Sequence, residues 1–532
     1  MPPHGETSGR TLARSASLAG AATLASRILG LVRDQVLAAF FGASDEMDAF
    51  IVAFRIPNLV RDLFAEGAMS AAFVPTFTRE LTTRGKDDAW RLGSNVLNAL
   101  LVVTGVLVTL GIIFARPIVS AYAGSYAAVP GKLELTIELT RLMLPFLTLA
   151  AIAAAIMGML NSLHHFFVPA LSPATFNVAT IVCVLVLAPL MPAAHVPRIM
   201  AVAIGAIVGG AAQIAMQWRP LAREGFRYSG SLNFHDPALT RVLVLMGPGT
   251  IGLAATQVNL FINTLLATSQ GTGAVSWLQY AFRLMYFPIG LFGVSIATAV
   301  LPAVSRHAAV NDSAAMRGTV ARGLRLMLML NVPATLGLLV LATPIVRLLF
   351  ERGHFSPADT AATATALRWY AVGLVGYSAA RIVSPVFYAL GKSRVPVMVS
   401  VTSIATNIAT SLALVRAMGF AGLALGTSIA AIGNGGALLW MLRRHLGGIE
   451  GRATFLAAVK IGVAALVMAA VAATVSRYSV AVVEGTSTAA QAVRLAGAIG
   501  CALAALAACA KLLHIEEFTE ALGGLSSARD TI

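Results

Sequence analysis

Residues 53–79, AFRIPNLVRDLFAEGAMSAAFVPTFTR, are apolar enough at their flanks to enter a lipid bilayer, yet they carry Arg55, Arg61, Asp62 and Glu66. A charged side chain at the centre of a bilayer costs roughly 2.5–3.5 kcal/mol on insertion scales. Residues 281–306, AFRLMYFPIGLFGVSIATAVLPAVSR, begin with the same tripeptide and end with the same Pro-x-x-x-Arg pattern. The charges therefore call for a functional reason, and the resemblance between the two segments indicates an internal duplication.

One offset relates several features of the two halves. Arg55 and Arg283 are 228 residues apart, and so are Phe64 and Phe292. The pairs with an offset of 227 are Pro75 with Pro302, Arg79 with Arg306, Arg141 with Arg368, and Val168-Pro169 with Val395-Pro396. An offset that spans six helices preserves the direction of the chain across the membrane, so we predict parallel repeats.

The composition is that of a membrane protein. Of the 532 residues, 58% are hydrophobic and 11% are charged, and the mean hydropathy is +0.81. Soluble domains carry about 25% charged residues, and apolar runs of about 20 residues are typical of transmembrane helices. We predict an all-α polytopic membrane protein with fourteen transmembrane helices, arranged as two parallel-repeat six-helix lobes plus two C-terminal helices.

Turn-forming clusters between the apolar runs set the predicted domain boundaries. The predicted parts are an N-terminal cytoplasmic tail (1–17), an N-lobe with helices 1–6 (18–222), a C-lobe with helices 7–12 (237–445), helices 13–14 (453–513) and a cytoplasmic C-terminal tail (514–532). Helices 13 and 14 are rich in alanine and glycine. Such small residues allow either close core packing or a groove for a long lipid chain.

Basic residues concentrate in alternate loops, and this asymmetry predicts that both termini are cytoplasmic. The predicted outer loops hold little more than Lys132, Arg352 and Arg477. A net charge of +15 in a soluble protein would suggest a nucleic-acid partner. Here the loop positions account for most of the charge, so we expect no nucleic-acid partner.

The arginines inside the predicted helices need a separate explanation. Arg33 is followed by Asp34, and Arg55 lies seven residues from both Asp48 and Asp62, so buried ion pairs that only fix helix packing are one interpretation. Arg27 has no acidic residue within four positions.

Arg283 has no acidic residue within twenty positions. An arginine in such a place suits an anion in a wet cavity, and its planar guanidinium binds phosphate through two hydrogen bonds. A phosphate or diphosphate ligand is therefore predicted, although anionic drugs and sugars with carboxylates also fit.

Three predicted helices contain helix-breaking residues near midspan, namely Pro57, Gly247-Pro248-Gly249 and Pro288. Broken helices would expose backbone N–H groups to an anion, whereas simple kinks would have no such role. The three cysteines lie in apolar helices and are expected to be core residues. We expect no metal site and no catalytic residue.

Several long motifs resemble the MurJ (MviN) family of lipid II flippases in the MOP exporter superfamily. They are SRILGLVRDQVLAAFFGASDEMDAF (26–50), PNLVRDLFAEGAMSAAFVP (57–75), NFHDPALTRVLVLMGPG (233–249) and VSWLQYAFRLMYFPIGLFGVSIATAVLPAVS (275–305). The resemblance covers essentially the whole chain. It implies a flippase, not an enzyme, with a cationic cavity between its lobes and a lipid groove along helices 13 and 14.

The resemblance also implies residue roles. The predicted diphosphate-binding residues are Arg27, Arg33, Arg61 and Arg283, and the predicted supporting or gating residues are Asp48, Arg55, Asn58, Glu66 and Arg381. Some family members carry acidic residues near Arg283, where this chain has Phe282 and Tyr286. An ion pair with Arg283 is therefore not expected from these positions.

We expect translocation of the undecaprenyl-diphosphate-linked peptidoglycan precursor from the cytoplasmic to the periplasmic leaflet of the bacterial inner membrane, by alternating access. The alternatives are a flippase for another polyprenyl-linked glycan, a cation or drug antiporter of the same superfamily, an enzyme acting on polyprenyl diphosphates, and a regulatory scaffold. No ATP-binding G-x-x-x-x-G-K-[ST] motif is present, so a coupling ion (Na⁺ or H⁺) or the membrane potential is expected to supply energy. The expected partners are lipid II, membrane lipids and, transiently, the cell-wall synthesis machinery.

Overall fold

The fold was analysed in a computed structural model, which describes residues 6–62, 69–230, 232–290, 294–310, 312–485 and 487–520. In these ranges the chain forms nineteen α-helices joined by short turns. It divides into two units, Met1–Gly273 and Ala274–Ile532.

The first unit contains ten helices. They are α1 (Glu6–Phe41), α2 (Asp45–Arg61), α3 (Met69–Arg84), α4 (Lys86–Ile113), α5 (Ala115–Ala123), α6 (Lys132–Met143), α7 (Phe146–Ser162), α8 (Phe167–Leu187), α9 (Met200–Arg223) and α10 (Pro237–Thr268). Helix α1 packs on α8, α2 packs on α6, and α7 packs against α3, α4 and α9. An aromatic core that includes Phe73, Phe77, Trp90 and Phe226 holds α3, α4 and the segment after α9 together.

The second unit contains nine helices. They are α11 (Ala274–Pro288), α12 (Val294–Ala309), α13 (Ser313–Phe350), α14 (Pro357–Val372), α15 (Leu374–Ala389), α16 (Arg394–Met418), α17 (Phe420–Leu446), α18 (Gly451–Val482) and α19 (Thr488–Leu512). Helix α13 is the centre of this unit, because α12, α14, α15 and α18 all pack on it.

The order of helices supports the predicted duplication. The break between α6 and α7 falls at Leu144-Pro145, and the break between α14 and α15 falls at Gly373, where the two helices are bent by 43°. Helices α8 and α16 begin 227 residues apart, at Phe167 and Arg394. Each half therefore interrupts its helices at the same place in the repeat.

Apolar length gives a lower count of spans than the fourteen predicted. Within the described part of the chain, nine helical spans, one of which runs through α6 and α7, are long and apolar enough to cross a membrane, and α14 with α15 adds a tenth if the two form one bent span. The all-α polytopic class is confirmed, and the count of fourteen stays a prediction.

The predicted helix breaks have different outcomes. Pro57 lies inside α2, which continues to Arg61, so of the two alternatives that the sequence left open the helix is not broken there. Helix α10 likewise runs without interruption through 247–249. Pro288 is the last residue of α11, and residues 289–290 continue as π-helix. A proline inside a helix removes one backbone hydrogen bond, and packing against neighbouring helices compensates for that loss.

Helix α10 counts with the first unit, because it packs against α3 and α4. The division between the units follows packing and lies after Gly273. The C-lobe that the sequence predicts to begin at residue 237 is a statement about the repeat, and it stays a prediction.

Glycines allow α15 and α17 to approach each other closely. A Cβ added at Gly376 would lie 2.5 Å from the Ala431 carbonyl oxygen of α17. We expect Gly376→Ala to lower the free energy of unfolding by about 1–3 kcal/mol, because the two helices would be forced apart. Thermal unfolding of the full chain in detergent measures this effect.

Gly433→Ala is the matched control for this prediction. Gly433 also lies on α17, but nothing lies within 4 Å of a Cβ at this position. It is expected to be neutral or slightly stabilising, because alanine favours helix over glycine. Equal unfolding temperatures for the two variants would show that the close approach at Gly376 does not contribute to stability.

Candidate functional site

The predicted site residues of the first unit lie on α1 and α2. Arg27 is exposed on α1 and has no acidic partner among the residues that the structure describes. Arg33 is partly buried, and its Nη2 donates to Asp34 Oδ1 at 2.9 Å. The pairing of Arg33 with Asp34 is thus the ion pair that the sequence left open.

Asp62 organises the end of α2. Its carboxylate accepts from Arg61 Nη2 at 2.7 Å, from Asn58 Nδ2 at 3.3 Å and from Gln257 Nε2 of α10 at 3.2 Å. The sequence suggests Asp62 as a partner of Arg55, and the structure shows that Arg61 pairs with it. Each pairing occupies one edge of a guanidinium that has five N–H donors, so a neighbouring carboxylate does not saturate Arg61 or Arg33.

Aromatic rings link Arg33 to α2. The Arg33 guanidinium lies 5.8 Å from the Phe176 ring centroid, and the Phe176 ring stacks at 6.4 Å with Phe54, which precedes Arg55. Phe146 of α7 contacts both rings. These contacts connect α1 to α2 through α7 and α8, and no pattern in the sequence indicates them.

Arg55 is partly buried, and its charge lies near the hydroxyl of the buried Tyr122. Glu66, the remaining predicted residue of this unit, lies outside the described residues.

Asp48 belongs to a buried ion-pair network at the N-terminal end of α2. Its side chain is fully buried, and it accepts from Lys132 Nζ at 3.1 Å and from the Gly273 backbone N–H at 2.7 Å. Lys132 Nζ also donates to Asp45 Oδ1 at 2.6 Å, and Asp45 accepts from the Thr272 hydroxyl. This network, Asp45–Lys132–Asp48, ties the starts of α2 and α6 to the turn after α10.

Lys132 is predicted from sequence to lie in an outer loop, with no functional role. It is the first residue of α6, and only 2% of its side chain is exposed. The signal that could have found it is the charge asymmetry, because a lysine in a predicted outer loop departs from the positive-inside pattern. A buried lysine almost always has a charged or hydrogen-bonding partner, and here both partners are aspartates.

The opposite ends of the helices of this unit are joined by a second set of contacts. Glu224, just after α9, accepts from Lys86 and bonds His165 at 2.9 Å. These two partners hold the pKa of the Glu224 carboxyl below its usual range. The contact joins the loops after α3, α7 and α9, while the Asp45–Lys132–Asp48 network joins the loops after α1, α5 and α10. In a helix bundle that crosses a membrane, the loops lie at the two ends of the helices. The two sets of contacts join the loops at each end.

In the second unit, Arg283 is partly buried on α11 and Arg381 is partly buried on α15. The Arg381 guanidinium lies 5.0 Å from the Tyr286 ring centroid. Phe282 stacks with Tyr286 at 5.7 Å and meets the Tyr370 ring edge-on. Phe282, Tyr286 and Tyr370 therefore form an aromatic wall, Phe282–Tyr286–Tyr370, against which Arg381 packs.

No cluster of three or more histidine, cysteine, aspartate or glutamate side chains that could hold a metal ion occurs among the described residues. The arrangement is instead one of arginines on apolar helices, packed beside aromatic rings and steadied by single carboxylates. Such groups can bind an anion through charge-assisted hydrogen bonds.

Comparisons with known proteins agree with this arrangement. A profile of the lipid II flippase MurJ family matches residues 37–489. The lipid II flippase MurJ of Burkholderia cenocepacia is 36% identical over 427 residues, which cover 80% of this chain and 82% of that protein. A solved structure of the lipid II flippase MurJ in an inward closed conformation has a TM-score of 0.76 and 25% identity, covering 93% of this chain and 99% of that one.

An inward-facing multidrug resistance MATE family transporter of the MOP superfamily shares the fold, with a TM-score of 0.67 and 15% identity over 80% of this chain and 96% of that chain. This more distant likeness shows the fold alone, whereas the family match covers most of the chain. The chain therefore belongs to the MurJ family of lipid II flippases.

Proposed function

We propose that this chain is a transporter that moves lipid II from the cytoplasmic to the periplasmic leaflet of the bacterial inner membrane. The observation that carries the proposal is the family match, with 36% identity to a protein named as a lipid II flippase over four fifths of the chain. Lipid II carries an undecaprenyl chain, a diphosphate and a disaccharide-pentapeptide, so its carrier needs both cationic and apolar surfaces.

Arg27, Arg33, Arg61 and Arg283 are the proposed diphosphate ligands. Their support is that all four lie on helices flanked by apolar residues, and that α11 carries Arg283 with no acidic residue in its sequence. Arginine remains charged at any physiological pH, and its planar guanidinium presents a fork of two parallel N–H donors that matches two phosphate oxygens. Arg55, Asn58, Glu66 and Arg381 are proposed to support these ligands, and Asp48 to fix the turn after α10.

The undecaprenyl chain is proposed to lie along α18 and α19. A cavity of about 360 Å³ lies between these two helices, and its lining is mostly apolar, including Val475, Val482, Val493 and Gly497. Exposed apolar side chains such as Leu466 and Leu503 continue along both helices. These surfaces suit a lipid chain that stays in the bilayer while the headgroup crosses.

We propose that both termini are cytoplasmic, because basic residues concentrate in the loops of that side. Energy is proposed to come from the membrane potential or from a Na⁺ or H⁺ gradient. The potential is worth about 2.3 kcal/mol per charge per 100 mV, and a cationic carrier can use it when it resets without ligand. The periplasmic cell-wall synthesis machinery is the proposed recipient of the product.

Depletion of the protein in a bacterium tests the function. Lipid II is expected to accumulate in the cytoplasmic leaflet, where an externally added lipid II-cleaving enzyme cannot reach it. Unchanged exposure of lipid II, together with accumulation of a different polyprenyl-linked glycan, would favour the other flippase. Unchanged exposure of every polyprenyl-linked glycan would reject the flippase function.

The aromatic wall provides a more specific prediction. Tyr286→Leu removes the ring on which Arg381 packs, whereas Tyr286→Phe retains it. A cation–π contact contributes about 0.5–2 kcal/mol, so we expect the leucine variant to transport lipid II about 2- to 30-fold more slowly. The phenylalanine variant is expected to behave as wild type in the same reconstituted translocation assay. Equal rates for the two variants would show that the ring does not position Arg381.

A further inference from the structure

The C-terminal end of α17 carries a cavity that the proposed transport cycle does not use. It has a volume of about 370 Å³ and is lined by Trp440, Arg443, Arg444, Gly447 and Gly448. Gly447 ends the helix in the left-handed conformation with φ 68°. Open space surrounds both terminal glycines, since a Cβ at either one would meet nothing within 4 Å. No side chain therefore covers the backbone of Gly447 and Gly448 in the cavity.

Two arginines and a tryptophan form the walls. The Arg444 guanidinium lies 3.9 Å from the Trp440 ring centroid. The side chains of all three residues are exposed, and within the described part of the chain neither Arg443 nor Arg444 has an acidic partner. A helix C-terminus by itself favours basic residues, but it does not account for a tryptophan that holds one guanidinium beside an open cavity. The pair is suited to a phosphate group.

An exposed stripe of isoleucine and glycine residues on α17, the α17 channel, leads to this cavity. Ile429, Ile432, Gly433 and Gly436 share the exposed face of the helix with Trp440, at helical spacing. Nothing lies within 4 Å of a Cβ at Gly433 or Gly436. Because glycine has no side chain, these two positions leave a shallow depression on α17 next to Ile429 and Ile432. A fatty acyl chain fits such a surface. Tryptophan is enriched where acyl chains meet headgroups, and Trp440 lies at that junction.

We propose that this end of α17 binds one anionic phospholipid of the leaflet that faces the basic loops. The phosphate lies on Arg443 and Arg444, the glycerol region lies against Trp440, and one acyl chain follows Gly433 and Gly436. The charge of the cavity selects an anionic headgroup, and the channel requires a lipid rather than free phosphate. Only the identity of the leaflet depends on the proposed orientation of the chain in the membrane.

Purified full-length protein in detergent, titrated with dioleoylphosphatidylglycerol, tests the site through the rise in unfolding temperature. We expect the double variant R443Q/R444Q to need about 30-fold more lipid for the same stabilisation, since two basic residues near an anionic headgroup are lost. Dioleoylphosphatidylcholine and inorganic phosphate are expected to stabilise the wild type little. Equal stabilisation by phosphatidylcholine would overturn the charge selection, and equal stabilisation by phosphate would overturn the lipid assignment.

The matched control is R219Q/R223Q at the C-terminal end of α9. This helix also ends with an exposed tryptophan and exposed arginines, but the Trp218 ring packs against Phe226. The control removes the same charge and is expected to respond to the lipid as wild type does. A loss as large as that of R443Q/R444Q would mean that only net charge matters, and it would reject the site.

A second variant keeps the arginines and fills the channel. G433L/G436L places side chains into open space, so it is expected to fold normally. It should also weaken the response to dioleoylphosphatidylglycerol, because the acyl chain loses its place. A wild-type response from this variant would contradict the proposed path of the lipid, whether or not R443Q/R444Q folds.

Discussion

Replacing Arg283 with alanine is expected to abolish lipid II export and to prevent growth when the variant is the only copy in the cell. A charge-assisted hydrogen bond to an ionised group contributes about 1.5–3 kcal/mol, so its loss slows transport by about 10- to 100-fold. Export is measured by the accessibility of lipid II at the outer leaflet of depleted cells that carry the variant. Protein abundance in the membrane is expected to stay normal, because Arg283 is only partly buried on α11.

Two further variants make this result specific. Arg283→Lys keeps the charge but loses the fork, so it should restore export only in part if the contact with phosphate uses two hydrogen bonds. Arg347→Ala is the control, because its side chain is 48% exposed and pairs with Glu351 at the end of α13. Normal growth with Arg283→Ala at normal abundance would remove this residue from the site.

Replacing Lys132 with methionine is expected to cause the largest loss of stability of any single change considered for this chain. The substitution removes the ammonium group that pairs with the fully buried Asp48 carboxylate. Breaking a buried ion pair from one side costs about 3–5 kcal/mol, because an uncompensated charge remains inside. Chemical unfolding of the full chain in detergent measures the change in the free energy of unfolding.

A second substitution distinguishes buried charge from lost packing. Asp48→Asn in the Lys132→Met background removes the uncompensated charge and should recover much of the stability. Arg84→Gln, which breaks a pair with Glu80 whose arginine is 64% exposed, should cost less than about 1 kcal/mol. If Lys132→Met were no more destabilising than Arg84→Gln, the Asp45–Lys132–Asp48 network would not stabilise the protein.

The two predictions concern different parts of the same problem. Arg283 lies on a helix whose sequence has no acidic residue, and we propose that it contacts the ligand. Lys132 is neutralised permanently by two aspartates, and its energy is recovered on folding. Charges inside the predicted spans therefore divide into those proposed for the ligand and those that hold the fold.

The arginines of α1 and α2 show why sequence could not make this division. Arg33 and Arg61 were predicted as ligands of a diphosphate, and each pairs with the aspartate that follows it. Adjacent residues on a helix usually point in different directions, so the sequence leaves open whether Arg33 pairs with Asp34, and it does not indicate that Arg61 pairs with Asp62. The long flexible arms of arginine bring the groups together, and only the packing of neighbouring side chains decides whether they do.

The sequence by itself determined the helical membrane class, the duplication and the helices that carry the arginines. These properties depend on apolar length and on residue order, which are local and which a bilayer imposes on any chain. The tertiary structure alone decided that Lys132 is buried between Asp45 and Asp48, that Arg381 lies on Tyr286, and that α10 packs with the first unit. Those outcomes depend on contacts between residues far apart in the chain, which are selected by the packing of whole helices and leave no periodic signal in the sequence.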